Sequence, residues 1–142
     1  MVSEASRVVD EQFRLLRDVF AGRGGDPLST LHPEVTFFVP GPLPVSGTHD
    51  YAFLRDNVFG GAGPGVPSKD GFGHYPVEYI EEGNRVVVIA KARLNGRTGD
   101  PYNNTFFMFY EVRDGKIYRF IEFLDGSLFM QSNVDTHLEP EA

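Results

Sequence analysis

Residues 102–125 read YNNTFFMFYEVRDGKIYRFIEFLD, and the way this stretch pairs with itself decides what the rest of the chain encloses. Two runs of aromatic and aliphatic residues flank Arg113-Asp114-Gly115, a tight-turn sequence, so a β-hairpin is predicted. Two turns fit. A two-residue type I′ loop at Asp114-Gly115 pairs Arg113 with Lys116 and sets Glu122 against Phe107. A three-residue loop with Gly115 in the left-handed position pairs Val112 with Lys116 and flips one strand relative to the other. In that second register Phe106, Met108, Tyr110, Tyr118, Phe120 and Glu122 share one face, with Phe107, Phe109, Ile117, Arg119 and Ile121 on the other. One carboxylate then stands in an aromatic wall. Taken by itself, the sequence is compatible with both registers.

Outward from the hairpin, residues 76–80 and 85–94 also read as strands, with turns at Glu82-Gly83-Asn84 and at residues 95–101. Ahead of them Val8, Val9, Phe13, Leu16, Val19 and Phe20 recur at helical spacing from Ser3 until Gly22, which predicts an amphipathic helix. Asp26-Pro27 is an N-cap followed by a favoured first helical residue, giving a short helix over 27–31, and residues 35–39 form a strand. Pro40-Gly41-Pro42-Leu43-Pro44 cannot continue a sheet ladder. Thr48 is placed to cap a third helix over 49–59, and the Gly- and Pro-rich residues 60–73 form a lid or a loose connection.

Helices first and antiparallel strands afterwards is an α+β order, with helices on one face of a curved sheet. The strand 105–112 is apolar on both faces, so another body is expected on the second face. A second copy of the chain, a homodimer through the outer sheet face, is the economical candidate.

The length of 142 residues and 41% hydrophobic content suit one domain spanning the chain. A net charge of −7 disfavours nucleic acid and anionic membranes as partners. No cysteine is present, which removes disulfides, thiolate nucleophiles and iron–sulfur clusters and fits a reducing compartment. The N-terminal residues are charged and amphipathic rather than a signal or a span, so a cytoplasmic protein is expected. The four histidines lack metal-ligand spacing, and the Gly60-Gly61 run lacks the strand and Lys-Ser/Thr of a phosphate loop.

The hairpin, the HPEVTFFVPG strand and turn, the SGTHDYAFL helix start and the EEGNRVVV strand together resemble the nuclear transport factor 2-like superfamily. The branch most similar is the SnoaL-like, ketosteroid-isomerase-related one. The resemblance implies a cone-shaped sheet, antiparallel or mixed, wrapped around an N-terminal helix and two shorter helices. It further implies an apolar pocket, dimerisation through the outer sheet face, and a residue matching Glu122 that points inward. Polyketide cyclases and limonene epoxide hydrolase carry a proton-transferring acid at that position. Other family residues do not carry over: Phe37, Val39, Ile89 and Lys91 stand where limonene epoxide hydrolase has its Tyr, Asn, Arg and Asp. Val39 likewise occupies the place of the ketosteroid isomerase base.

These readings give a cofactor-independent enzyme doing acid/base chemistry (isomerisation, dehydration or cyclisation) on a small apolar carbonyl or hydroxyl compound such as a polyketide-, steroid- or terpenoid-like molecule. Glu122, desolvated by Phe106, Met108 and Phe120, moves the proton. If Val86, Val88, Ala90, Ala92 and Leu94 face a partner subunit, Lys91 and Arg93 point into the cone and stabilise oxyanion charge; otherwise both extend to solvent. Tyr102 and Asn104 alternate with Phe106 and would orient the substrate, and His74 is an alternative base. Asp125, before Gly126-Ser127, reads as a turn or cap residue. The rival readings are a non-catalytic small-molecule binder and a purely structural dimer.

Overall fold

In the computed structural model, which describes residues 2–59, 73–95 and 101–132, the hairpin comprises β6 (Thr105–Arg113) and β7 (Lys116–Leu124). Arg113 pairs with Lys116, and Asp114 and Gly115 take φ of 53° and 72°, so the loop is the two-residue turn. The inward face is nevertheless the one expected of the other register. A bulge leaves Tyr118 unpaired between Val112–Ile117 and Glu111–Arg119, after which Tyr110 pairs with Phe120 and Met108 with Glu122. Phe106, Met108, Tyr110 and Phe120 are consequently buried, whereas Phe107 and Phe123 on the reverse are 55% and 56% exposed. The bulge also exchanges two neighbours. Ile117, expected outside, is fully buried, and Tyr118, expected inside, lies under the Arg113 guanidinium at 4.1 Å and edge-on to His32 at 5.1 Å.

The remaining strands are β1 (Leu31–Val39), β2 (Gly47–His49), β3 (Gly73–Glu82), β4 (Arg85–Asn95) and the short β5 (Pro101–Tyr102). They assemble in the order β2-β1-β7-β6-β4-β3, with β5 beside β4. The β1–β7 pair is parallel and the others are antiparallel, a mixed sheet within an α+β fold as expected. β1 begins four residues earlier than the sequence pattern suggests. Its Pro33 is accommodated because the ladder is interrupted between Leu31 and Thr36, where a missing N–H breaks no bond.

Helix α1 (Glu4–Phe20) starts at Ser3, whose hydroxyl accepts the Ser6 N–H, and lays Ala5, Val9 and Phe13 on the inner sheet face. Asp26 caps a 3₁₀ turn, Pro27–Thr30. The third helical segment differs from expectation: Thr48 lies in β2, and Asp50 is the cap, its carboxylate accepting the Phe53 N–H at 2.9 Å. Helix α2 (Tyr51–Phe53) continues into a wide turn over Leu54–Val58. The predicted strand 102–113 is interrupted at Asn103-Asn104, and α3 (Gly126–Ser132) follows β7. Of the expected loop at 60–73 and turn at 95–101, residues 60–72 and 96–100 lie outside the described residues, while Gly73, Asn95 and Pro101 are the end residues of strands β3, β4 and β5.

On β4 the completely buried set is Val86, Val88, Ala90 and Ala92, facing the α1 side. Lys91 and Arg93 therefore stand exposed on the outer face, and the expectation that they point into the cone is corrected. The reason is packing: small and β-branched side chains fit beneath a helix, and a cation there would be desolvated without a partner. Lys91 Nζ instead donates to Thr105 Oγ1 at 2.7 Å, between β4 and β6 on the outer face.

Candidate functional site

Between α1 and the inner face of the sheet lies a cavity. Gln12, Phe13 and Leu16 form its helix side; Phe37, Met108, Tyr110, Phe120 and Glu122 form the sheet side; Val58, Phe59 and His74 close one end. About 70 Å³ of it is open to the centre of a water molecule. That is the volume of about two waters and roughly half of the ~150 Å³ in which an apolar protein cavity holds benzene, so the enclosed space takes the end of a ring.

The aromatic wall is built by cross-strand neighbours. Phe37 stacks on Phe120 with centroids 4.3 Å apart, Tyr110 stacks on Phe120 at 5.6 Å, and Phe13 meets Tyr110 edge-on at 6.3 Å. The Tyr110 hydroxyl, fully buried, donates to Met108 Sδ at 3.4 Å, a weak acceptor that a better one would displace. Burial holds the Tyr110 phenol well above its ordinary range, so it stays protonated.

Glu122 enters this wall from β7, where its pairing with Met108 aims it inward. Its carboxyl has no hydrogen bond or ion pair among the described residues, and desolvation raises its pKa from 4.5 to about 7. His74 comes from the start of β3 and sets its ring edge-on to Phe106 at 4.6 Å, while its backbone carbonyl accepts from Arg17 Nη1 at 3.3 Å. Burial lowers the imidazole to about 4, so it is neutral at physiological pH. The cavity thus holds a carboxyl poised at neutrality and an uncharged imidazole, with no cation from Lys91 or Arg93.

Two further predicted residues stand apart from this constellation. Asn104 is 1% exposed and fully engaged: Nδ2 donates to the Tyr102 hydroxyl at 2.9 Å and the Asp125 carbonyl at 3.0 Å. Its Oδ1 accepts the Thr105 and Asp125 N–H groups at 2.7 and 3.1 Å. Asn104 is therefore a clamp joining the β5–β6 break to the end of β7, and the buried Tyr102 is held with it, away from the cavity walls. Asp125 is a helix cap, as expected, accepting the N–H groups of Ser127 and Leu128. Phe106, expected in the ligand-binding wall, meets His74 edge-on and is not among the residues lining the cavity. Among the described residues no group of three or more His, Asp or Glu could hold a metal, and no helix is long and apolar enough to cross a membrane.

The SnoaL-like domain family model matches residues 14–120, from the middle of α1 to Phe120 on β7. The chain belongs to the SnoaL-like family. The fold is shared with an NTF2-like protein of unknown function from Burkholderia pseudomallei, which is 20% identical with a TM-score of 0.68 over 93% of this chain and 98% of that one. TerC, co-crystallised with polyporic acid, is 24% identical with a TM-score of 0.68 over 93% and 99%. A Bacillus subtilis protein provisionally named an isomerase is 14% identical with a TM-score of 0.69 over 96% of each chain. Comparison with curated protein sequences finds no match.

Within this SnoaL-like chain, sequence reasoning reached Glu122, Met108, Phe120 and His74 and missed the helix side of the cavity. Phe13 and Leu16 were legible as the apolar stripe of α1. The overlooked signal was Gln12, an amide set in that stripe between Val9 and Leu16, where only apolar groups are expected.

Proposed function

We propose that this SnoaL-like protein is an acid/base enzyme that isomerises, dehydrates or cyclises a small, mostly apolar carbonyl or hydroxyl compound without a cofactor. The observation that carries the reading is Glu122: a carboxyl in an aromatic cavity, lacking an ion-pair partner among the described residues, with its pKa brought near neutrality by desolvation. A group titrating there serves as base when ionised and as acid when protonated, with little penalty either way. In the proposed mechanism ionised Glu122 takes a proton from carbon or hydroxyl. The neutral His74 N–H and the Tyr110 hydroxyl take over the oxyanion-stabilising role first expected of Lys91 and Arg93. An uncharged imidazole can donate such a bond without itself needing a counter-ion. The dimensions suit the reacting end of a polyketide-, steroid- or terpenoid-like molecule. Support in kind comes from TerC, a protein of this fold co-crystallised with polyporic acid.

Screening small hydroxy- and keto-compounds for turnover, then comparing Glu122→Gln on whatever substrate emerges, tests the reading. The variant keeps shape and polarity and loses the transferable proton, so a fall of about two to four orders of magnitude in turnover is expected with binding retained. Full activity in Glu122→Gln overturns it. One observation favours the rival reading of a non-catalytic binder: among the described residues no cation lines the cavity to stabilise an oxyanion. Binding without turnover across such a panel is its signature.

The partner proposed is a second copy of the chain, on the outer sheet face. Two cross-strand rows there are apolar, Ile80–Val87–Phe109–Ile121–Phe38 and Ile89–Phe107–Phe123. Phe107, Phe123 and Ile80 are more than half exposed in the single chain, a patch that favours burial.

A further inference from the structure

Gln12 stands in the cavity wall at 2% exposure, and the orientation of its amide is fixed by its neighbours. The Thr30 hydroxyl has one proton, and it is committed to the Pro27 carbonyl at 2.9 Å. Thr30 Oγ1 can therefore only accept from Gln12, so the 3.2 Å contact is Nε2 donating. The amide oxygen must then point the other way. No described residue donates to it, the Tyr110 hydroxyl being turned to Met108, which leaves a buried carbonyl acceptor unpaired among the described residues in the wall of an aromatic cavity.

Such an acceptor is rarely left unpaired in a folded protein, and an amide donates no proton of its own at that oxygen. The group that satisfies it must bring a hydrogen. The aromatic rings of Phe37, Tyr110 and Phe120 line the same cavity, and the enclosed space takes the hydroxyl-bearing end of a ring. Among the described residues the other titratable groups lining the cavity are Glu122 and Tyr110 from the sheet and His74 from the end wall, and none of them is a cation partner for an anionic ligand. We propose that Gln12 is the specificity-determining residue of this cavity: its Oε1 accepts a hydrogen bond from the hydroxyl of a neutral aromatic ligand, so that phenols are selected over donor-free rings of the same size. The inference rests on the cavity being the ligand site of the proposed function, and not on proton transfer by Glu122.

Phenol and toluene are the probes, since they have equal numbers of heavy atoms and differ in the donor. Their affinities for the wild-type protein, Gln12→Met and Thr30→Val are measured at pH 6 by ligand-observed NMR. The phenol-to-toluene affinity ratio is expected to fall roughly fivefold to tenfold in Gln12→Met, the range of one neutral hydrogen bond, chiefly through weaker phenol binding. Thr30→Val removes the internal partner of the amide but keeps the acceptor, so its ratio should stay within about twofold of wild type. An unchanged ratio in Gln12→Met overturns the inference, as does an equal collapse in Thr30→Val or failure of the wild-type protein to bind phenol. Loss of the preference in Gln12→Met with full turnover in Glu122→Gln would leave this inference standing and overturn the proton-transfer role. The reverse pattern overturns this inference alone.

Discussion

Replacing Glu122 by Gln should unmask a pH dependence of folding that the wild-type protein conceals. Glu122 holds its proton up to about pH 7 in the folded chain, against 4.5 as its ordinary value. Its contribution to stability is fully present below pH 4.5 and is lost as pH rises through about 7. His74 works in the opposite sense: with its folded pKa lowered to about 4 from 6.5, its contribution is present above pH 6.5 and is lost as pH falls through about 4. At about 1.4 kcal/mol per unit of pH, each window amounts to about 3 kcal/mol. Between pH 4.5 and 6.5 the two slopes oppose and cancel, so the pair adds almost nothing to the pH profile of the wild-type protein. Glu122→Gln removes one slope. Relative to wild type, the variant should gain about 3 kcal/mol as pH is raised from 4.5 to 7.5, and His74→Asn should lose a similar amount over the same interval. Urea unfolding followed by far-UV circular dichroism, at one protein concentration across that range, gives both difference curves. Surface carboxylates common to all three proteins drop out of the comparison. Flat difference curves for both variants would refute the desolvation argument.

On the outer face, the wild-type chain is expected to sediment as a dimer at micromolar concentration, with Phe109→Asp giving a monomer or insoluble protein. A soluble wild-type monomer contradicts the proposed interface. Asn104→Ala removes four hydrogen bonds that tie the β5–β6 break to Asp125 and should cost about 2–4 kcal/mol in thermal or urea unfolding while sparing cavity binding. An Asn104→Ala protein of wild-type stability that no longer binds ligand would instead make Asn104 a ligand residue.

The elements whose identity is local were the ones most legible. The apolar stripe of α1, the Asp26-Pro27 start of the 3₁₀ turn and the Asp125 cap follow from short-range spacing and hydrogen bonding, and each stands where its residues predict. The hairpin shows where locality fails. Asp114-Gly115 adopts the turn its chemistry favours, yet the bulge at Tyr118 resets which residues face inward, and that bulge is stabilised by contacts with Arg113 and with His32 from β1. The family resemblance supplied the correct inward face for Glu122, whereas turn chemistry alone would have reversed it. Strand β4 failed for a related reason. Val87 and Ile89 give its outer face an apolar character too, so the choice of which face α1 covers is made by the tertiary fold, and Lys91 with Arg93 follow that choice outward. Asn104 had the right alternation for a cavity residue, but its partners come from Asp125, 21 residues away, which no local pattern reveals. The same holds for Gln12, whose orientation is dictated by Thr30 across the α1–β1 connection.

The acid/base role of Glu122 depends on its carboxyl being desolvated inside the cavity and unpaired among the described residues. A pH titration of its side-chain carboxyl carbon by ¹³C NMR, assigned by comparison with Glu122→Gln, reads that state directly. The midpoint is predicted near 7, well above the 4.5 of an ordinary glutamate. A midpoint at or below 4.5 would contradict the account, because it would mean that water or a cation reaches the carboxylate and that Glu122 is ionised, and unsuited to donate a proton, at neutral pH.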